Sequence, residues 1–114
     1  MSEHENVGKP LVLNEINFEQ VLKESSLPLL FEFWAPWCHH CSALSPVIEQ
    51  VAAEMAGEII VGQINCDLNR DLRKRYGVQA IPTLFLAKNG EVVGTILNPR
   101  DKDTLCSWIR GLIG

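Results

Sequence analysis

The segment from Leu29 to Trp34 constrains the fold of this 114-residue chain more than any other stretch. It is apolar at every position except Glu32, and it contains two phenylalanines and a tryptophan. An apolar run of this length with aromatic residues is typical of a strand that is buried on both faces, as at the centre of a parallel sheet. We therefore predict a central strand here, followed directly by a helix that starts near Cys38.

Hydrophobic periodicity and turn residues predict the order βαβαβα followed by ββα. The predicted strands are Leu11–Leu13, Leu29–Trp34, Ile59–Ile64, Thr83–Ala87 and Glu91–Leu97. Helices are expected from Asn17, from about Cys38 to Gly57, from Asp67 or Asn69 to Tyr76, and after Asp101 as N-cap. The alternation indicates parallel strands at the start, and Asn89-Gly90 predicts a two-residue hairpin at the end. The result is an α/β domain.

The first helix has a local start signal. Asn17 can act as its N-cap, and Gln20 lies three residues further on, in the capping-box position. Ile16 and Val21 stand where a hydrophobic staple would pack across the first turn.

Length and composition predict one domain, residues 10–114, after a flexible tail over residues 1–9. The net charge of −4 disfavours binding to nucleic acid. No apolar run approaches the roughly 18 residues that span a membrane, and residues 1–9 lack the features of a signal peptide. We therefore expect a cytoplasmic protein. In that reducing compartment, closely spaced cysteines indicate catalysis or metal binding rather than a structural disulfide framework.

The sequence Cys38-His39-His40-Cys41 is the motif with the clearest chemistry. At a helix start, free backbone N–H groups and the helix dipole stabilise an anion, which favours a nucleophilic Cys38 thiolate. Cys41 lies one turn inward, where it can close a disulfide with Cys38. A protonated imidazole of His39 or His40 would favour the thiolate further and would make the pair more oxidising. The other interpretations are a structural disulfide or half of a zinc site, although four zinc ligands within one helical turn would be strained.

Phe33-Trp34-Ala35-Pro36-Trp37-Cys38 followed by Cys41 closely resembles the active-site segment of the thioredoxin family. The match continues at Tyr76-Gly77-Val78 and Ile81-Pro82-Thr83, and it covers nearly all of the chain from Leu11 to Ile113. The resemblance implies a thioredoxin fold, with a central five-stranded mixed β-sheet flanked by four α-helices. It also implies that Pro82 is cis and faces the cysteines, that Ile81 pairs with an extended substrate segment, and that Trp37 completes the substrate-binding surface.

Glu32 stands where the family usually carries an aspartate that helps to move the proton of the second cysteine. A carboxyl group in an apolar strand should have a raised pKa, which suits that role. The chain departs from the family pattern at four places. These are His39-His40 between the cysteines, Glu32 itself, Gln63 in place of a lysine that often faces this carboxyl group, and Asn98-Pro99 in place of a glycine that usually contacts substrate. Cys66 and Cys106 are expected to be buried as small apolar residues.

The resemblance implies a thiol–disulfide oxidoreductase that reduces protein disulfides through Cys38 and Cys41, with Glu32 as a third catalytic residue. It implies no bound cofactor beyond this redox-active pair, no metal site, and a flavin-dependent thioredoxin reductase as electron donor. We expect a monomer. Two alternatives remain open: a thiol oxidase or disulfide isomerase, which His40 suggests, and a thioredoxin-fold binding, chaperone-like or metal-carrying module.

Overall fold

The computed structural model describes residues 8–114. Five strands and four helices alternate along this part of the chain. The strands are β1 (Leu11–Leu13), β2 (Leu29–Trp34), β3 (Ile60–Asn65), β4 (Thr83–Lys88) and β5 (Glu91–Leu97). The helices are α1 (Phe18–Glu24), α2 (His39–Glu54), α3 (Arg70–Arg75) and α4 (Lys102–Ile113). The predicted order of elements is confirmed, with bounds that differ by up to three residues, the largest difference being at the end of α2. The predicted tail falls largely on residues 1–7, outside the described residues, and stays a prediction.

The strands form one mixed sheet in the order β1-β3-β2-β4-β5. β1, β3 and β2 are parallel, whereas β4 runs antiparallel to β2 and β5 antiparallel to β4. The apolar strand β2 therefore lies at the centre, as its sequence predicts. Asn89 and Gly90 form the turn between β4 and β5 with φ values of 55° and 80°, the conformation that two-residue hairpins require.

Two apolar cores lie on opposite faces of the sheet, because successive side chains of a strand point to opposite sides. Leu30 packs with buried residues of α2 and α4, including Ile48 and Ile109. Phe31 and Phe33 pack on the other face with Phe18 of α1 and with α3. Glu32 lies two residues after Leu30 on the same strand and therefore points toward the same face of the sheet, which α2 covers. The one acidic residue of β2 therefore lies beneath the start of α2.

The start of α1 differs from the prediction. The Asn17 side chain makes no capping hydrogen bond within the helix, because its Oδ1 accepts the N–H of Asn14 at 2.8 Å instead. Asn14 Oδ1 accepts the N–H groups of Ile16 and Asn17, each at 2.9 Å. Ile16 is 93% exposed, so the predicted hydrophobic staple with Val21 is wrong. The two asparagines bond to each other's backbone, and the resulting turn directs Ile16 into solvent.

Candidate active site

Cys38 lies at the junction between the centre of the sheet and α2. The chain leaves β2 at Trp34 and turns, with the N–H of Cys38 donating to the carbonyl of Ala35 at 3.1 Å. Cys38 is the N-cap of α2, and its Sγ accepts the N–H of Cys41 at 3.2 Å. A sulfur atom thus occupies the place of the usual capping oxygen. This arrangement brings the two cysteines together at the amino end of a 16-residue helix, where backbone groups favour negative charge.

Cys41 lies one turn further into the helix and is buried. Burial, together with the neighbouring Cys38, raises the pKa of the Cys41 thiol to about 12. A thiol in this environment stays protonated at neutral pH, and it becomes a nucleophile only when a nearby base accepts its proton.

Glu32 has the position and basicity for such a base. It is 2% exposed, and burial raises the pKa of its carboxyl group to about 7, as predicted in direction. The amide of Gln63 donates to its Oε1 at 3.0 Å and partly offsets the effect of burial. Glu32 and Cys41 line the same cavity of about 360 Å³. The shared cavity gives a proton a route between these two groups through water.

The segment before β4 faces Cys38 from the opposite side. The peptide bond between Ile81 and Pro82 is cis, as the sequence implies. The Cys38 thiol points at the carbonyl oxygen of Ile81, with 3.8 Å between sulfur and oxygen. Ile81 is half-buried and Pro82 is buried, and the Pro82 carbonyl accepts the N–H of Asn98 at 2.9 Å. The structure thus brings both residues to the reactive sulfur.

Trp37 and the two histidines form the exposed part of this region. Trp37 is 64% exposed, and its indole Nε1 donates to Asp67 at 3.1 Å from Oδ2. His39 and His40 begin α2 and are both exposed. They lie in the same helical turn as the cysteines, whereas Trp37 lies beside Cys38 on the β3 side.

The resemblance already places Gln63 opposite Glu32, and the structure adds the hydrogen bond between the two side chains. Gln63 lies on β3, directly beside Glu32 in the parallel register with β2. A polar side chain in this position satisfies the hydrogen-bonding requirement of a buried carboxyl group. Cys66 and Cys106 are buried among apolar residues, as expected.

Within residues 8–114, no three histidine, cysteine or acidic side chains are grouped so that they could hold a metal ion. None of the helices in the same range has the length and apolar character needed to cross a membrane.

Comparisons with known proteins agree with this geometry. The thioredoxin family model matches residues 9–111. Thioredoxin from Haemophilus influenzae is 40% identical over 103 residues, covering 90% of this chain and 96% of the relative. Thioredoxin from Pyropia yezoensis is 39% identical over 101 residues, covering 89% and 94%.

Solved structures give the same result for the fold. A mutant thioredoxin from Halobacterium salinarum superposes with a TM-score of 0.86 at 30% identity, covering 96% of this chain and 95% of that one. The thioredoxin fold, with its five-stranded mixed sheet and four helices, is thereby confirmed. The chain belongs to the thioredoxin family and is a thiol–disulfide oxidoreductase that acts as a protein-disulfide reductase.

Proposed function

We propose that the chain reduces protein disulfides with Cys38 as nucleophile, Cys41 as resolving thiol and Glu32 as proton acceptor. The observation that carries the proposal is the hydrogen bond from the Cys41 N–H to Cys38 Sγ at 3.2 Å, above a cavity that Cys41 shares with Glu32. One cysteine lies where a negative charge is stabilised, and the other lies beside a base. These are the two environments that a two-step exchange needs.

In the first step, the Cys38 thiolate attacks one sulfur of the substrate disulfide. The substrate S–S bond breaks, the second substrate sulfur leaves as a thiolate and takes up a proton, and a mixed disulfide joins Cys38 to the substrate. The Cys41 N–H supports this step by stabilising charge on the sulfur of Cys38.

In the second step, Glu32 accepts the Cys41 proton and the resulting thiolate attacks Cys38 Sγ. The mixed disulfide breaks, the substrate sulfur that Cys38 had attacked leaves as a thiolate and takes up a proton, and Cys38 and Cys41 are oxidised to a disulfide by two electrons. A carboxyl group with a pKa of about 7 can both accept this proton and return it near neutral pH.

Trp37, Ile81 and Pro82 would hold the substrate during both steps. The Ile81 carbonyl faces Cys38 at 3.8 Å, so an extended segment bonded to this backbone would bring its disulfide to the sulfur. Trp37 offers an exposed ring next to Cys38, which suits contact with the apolar surface of a protein substrate.

Electrons would return to the oxidised pair from a flavin-dependent thioredoxin reductase, and the chain itself would need no bound cofactor. A reductase that works through free thiols belongs in a reducing compartment, so we place this chain in the cytoplasm. We also propose that the chain is a monomer. His39 and His40 would raise the reduction potential, because a positive charge near Cys38 stabilises the reduced form.

Two cysteine variants test the assignment of roles. We expect Cys38→Ser to abolish insulin reduction, and Cys41→Ser to accumulate a mixed disulfide that gel electrophoresis without reductant detects. Unimpaired turnover by either variant would contradict the scheme.

The reduction potential in a glutathione series tests the physiological direction. A value near the roughly −270 mV of thioredoxin supports the reductase, whereas a value near −200 mV or above supports an oxidase or isomerase. The double variant His39→Gln/His40→Gln should have a lower potential than the unsubstituted chain if the histidines tune the pair.

A further inference from the structure

An apolar groove of about 370 Å³ lies at the carboxyl ends of β1 and β3. Buried Leu13 and half-buried Trp34 contribute to its lining. Its exposed apolar side chains are Val12, Ile16 and Leu68, which are 79%, 93% and 77% exposed. Single exposed apolar residues are common on protein surfaces, but three of them around one groove indicate a binding site.

The chemistry of the groove favours an apolar ligand, because its polar lining residues are already engaged in hydrogen bonds within the chain. Asn65 Oδ1 accepts the N–H of Asp67 at 2.9 Å, and Asn69 Oδ1 accepts the N–H of Glu15 at 3.0 Å. The same holds for the side chains of Asn14, Glu15 and Gln63. These bonds also hold the rim in place, so the groove exists before a ligand arrives.

The groove is continuous with the surface around the reactive cysteines. β1, β3 and β2 are parallel neighbours in this order, so the carboxyl end of β3 lies between that of β1 and the segment that carries Cys38. Asp67, next to Leu68, accepts the hydrogen bond of Trp37. Trp34 lines both this groove and the cavity of Cys41. A protein whose disulfide reacts at Cys38 can therefore extend over the groove.

We propose that the groove between Ile16 and Leu68 binds an apolar side chain of the protein substrate whose disulfide reacts at Cys38. The inference rests on the proposed function, since it requires a mixed disulfide with a protein at Cys38. It assigns a second contact on the β1 side of the sheet, separate from Trp37, Ile81 and Pro82. Small disulfides are too short to reach the groove, so contact with the groove favours protein disulfides over small-molecule disulfides.

The test compares two double variants in the full chain. Ile16→Ser/Leu68→Ser removes the apolar rim. Val92→Ser/Val93→Ser is the matched control, because these valines are 44% and 42% exposed on β5, at the opposite edge of the sheet. Insulin is the protein probe, with dithiothreitol as reductant so that no second protein takes part. Hydroxyethyl disulfide is the small probe.

We expect Ile16→Ser/Leu68→Ser to raise KM for insulin about tenfold, which corresponds to about 1.4 kcal/mol. Its kcat for insulin and its rate with hydroxyethyl disulfide should stay unchanged, and the control variant should behave like the unsubstituted chain. Circular dichroism and thermal unfolding check that both variants are folded.

Three results would overturn the proposal. The first is an unchanged KM for insulin. The second is an equal loss with both probes, which would indicate damage to the cysteines. The third is a dimer of the unsubstituted chain, seen by sedimentation and abolished by Ile16→Ser/Leu68→Ser, with unchanged insulin kinetics, which would assign the groove to a second copy. If the unsubstituted chain reduced neither probe, the proposed function itself would fail, so the two failures are distinguishable.

Discussion

Gln63 influences the chemistry of the site because its amide is the hydrogen-bond donor to the buried Glu32 carboxyl group. This donor stabilises the charged form of Glu32 against the larger, opposing effect of burial. The neutral amide makes a weaker partner than a cation would, which leaves the pKa of Glu32 near neutrality. In the proposed scheme Gln63 is a positioning residue, since it would act on the cysteines through Glu32.

Replacing Gln63 by leucine should therefore raise the pKa of Glu32 further above about 7. The rate at which Cys41 resolves a mixed disulfide should then reach its half-maximal value at a higher pH. Single-turnover kinetics over a pH series measure this midpoint. Ser45→Ala is the control, because Ser45 lines the same cavity. Equal midpoints for Gln63→Leu and the unsubstituted chain would show that the amide does not set the charge of Glu32.

Residues of the site differ in how far the sequence predicts them. Cys38, Cys41 and the Ile81-Pro82 pair belong to short motifs, so their roles were expected from local sequence and resemblance. The contact between Glu32 and Gln63 depends on the register between two strands that are separated along the chain. The resemblance placed the two residues opposite each other, but periodicity within one segment does not fix such a register, so the hydrogen bond between them emerged only from the structure.

Helix α3 is an element that depends on another part of the chain for its start. With six residues it is too short to be stable alone. The Asn69 side chain, which the sequence predicts as a cap, makes no capping bond and instead donates to the Asn65 carbonyl. Glu15 takes its place, since its Oε2 accepts the N–H groups of Asp71 at 2.7 Å and Leu72 at 3.3 Å. Sequence patterns predict caps from neighbouring residues, and a cap from before α1 lies outside their reach.

Glu15→Ala should consequently lower the free energy of unfolding by about 1 kcal/mol, the usual effect of removing a helix cap. Urea titration followed by circular dichroism measures this change. Glu49→Ala, at an exposed position of α2, is the control and should change stability by less than about 0.5 kcal/mol. If both variants lost the same stability, the carboxylate of Glu15 would have no specific role at α3.

At the scale of the whole molecule, the sheet separates two apolar cores. Glu32 is a buried acidic residue on the central strand of this sheet, on the face that α2 covers. The same burial that gives Glu32 its basicity opposes its ionisation in the folded state. The chain thus carries a buried carboxyl group at a cost in stability. The continuous apolar run of β2 predicted this buried position, since Glu32 is the one charged residue within it.

The pH dependence of unfolding should reveal this cost. The pKa of Glu32 is about 7 in the folded state against an ordinary value of 4.5, so the folded state binds more protons within this range. The stability that protonated Glu32 contributes is then fully present below about pH 4.5, and it is lost as pH rises through about 7. The gap between the two pKa values corresponds to about 3 kcal/mol.

Glu32→Gln should remove this dependence. The variant should match the unsubstituted chain near pH 5 within about 1 kcal/mol and exceed its stability by up to about 3 kcal/mol at about pH 8. Hydrogen bonds and ion pairs lower the pKa values of Glu19, Glu54 and Asp101, so their contributions are lost only as pH falls below their ordinary values. The difference between the two chains from pH 5 to 8 therefore isolates Glu32. Parallel urea titrations across this range measure it, and a constant difference would mean that Glu32 ionises as readily in the folded chain as in the unfolded one.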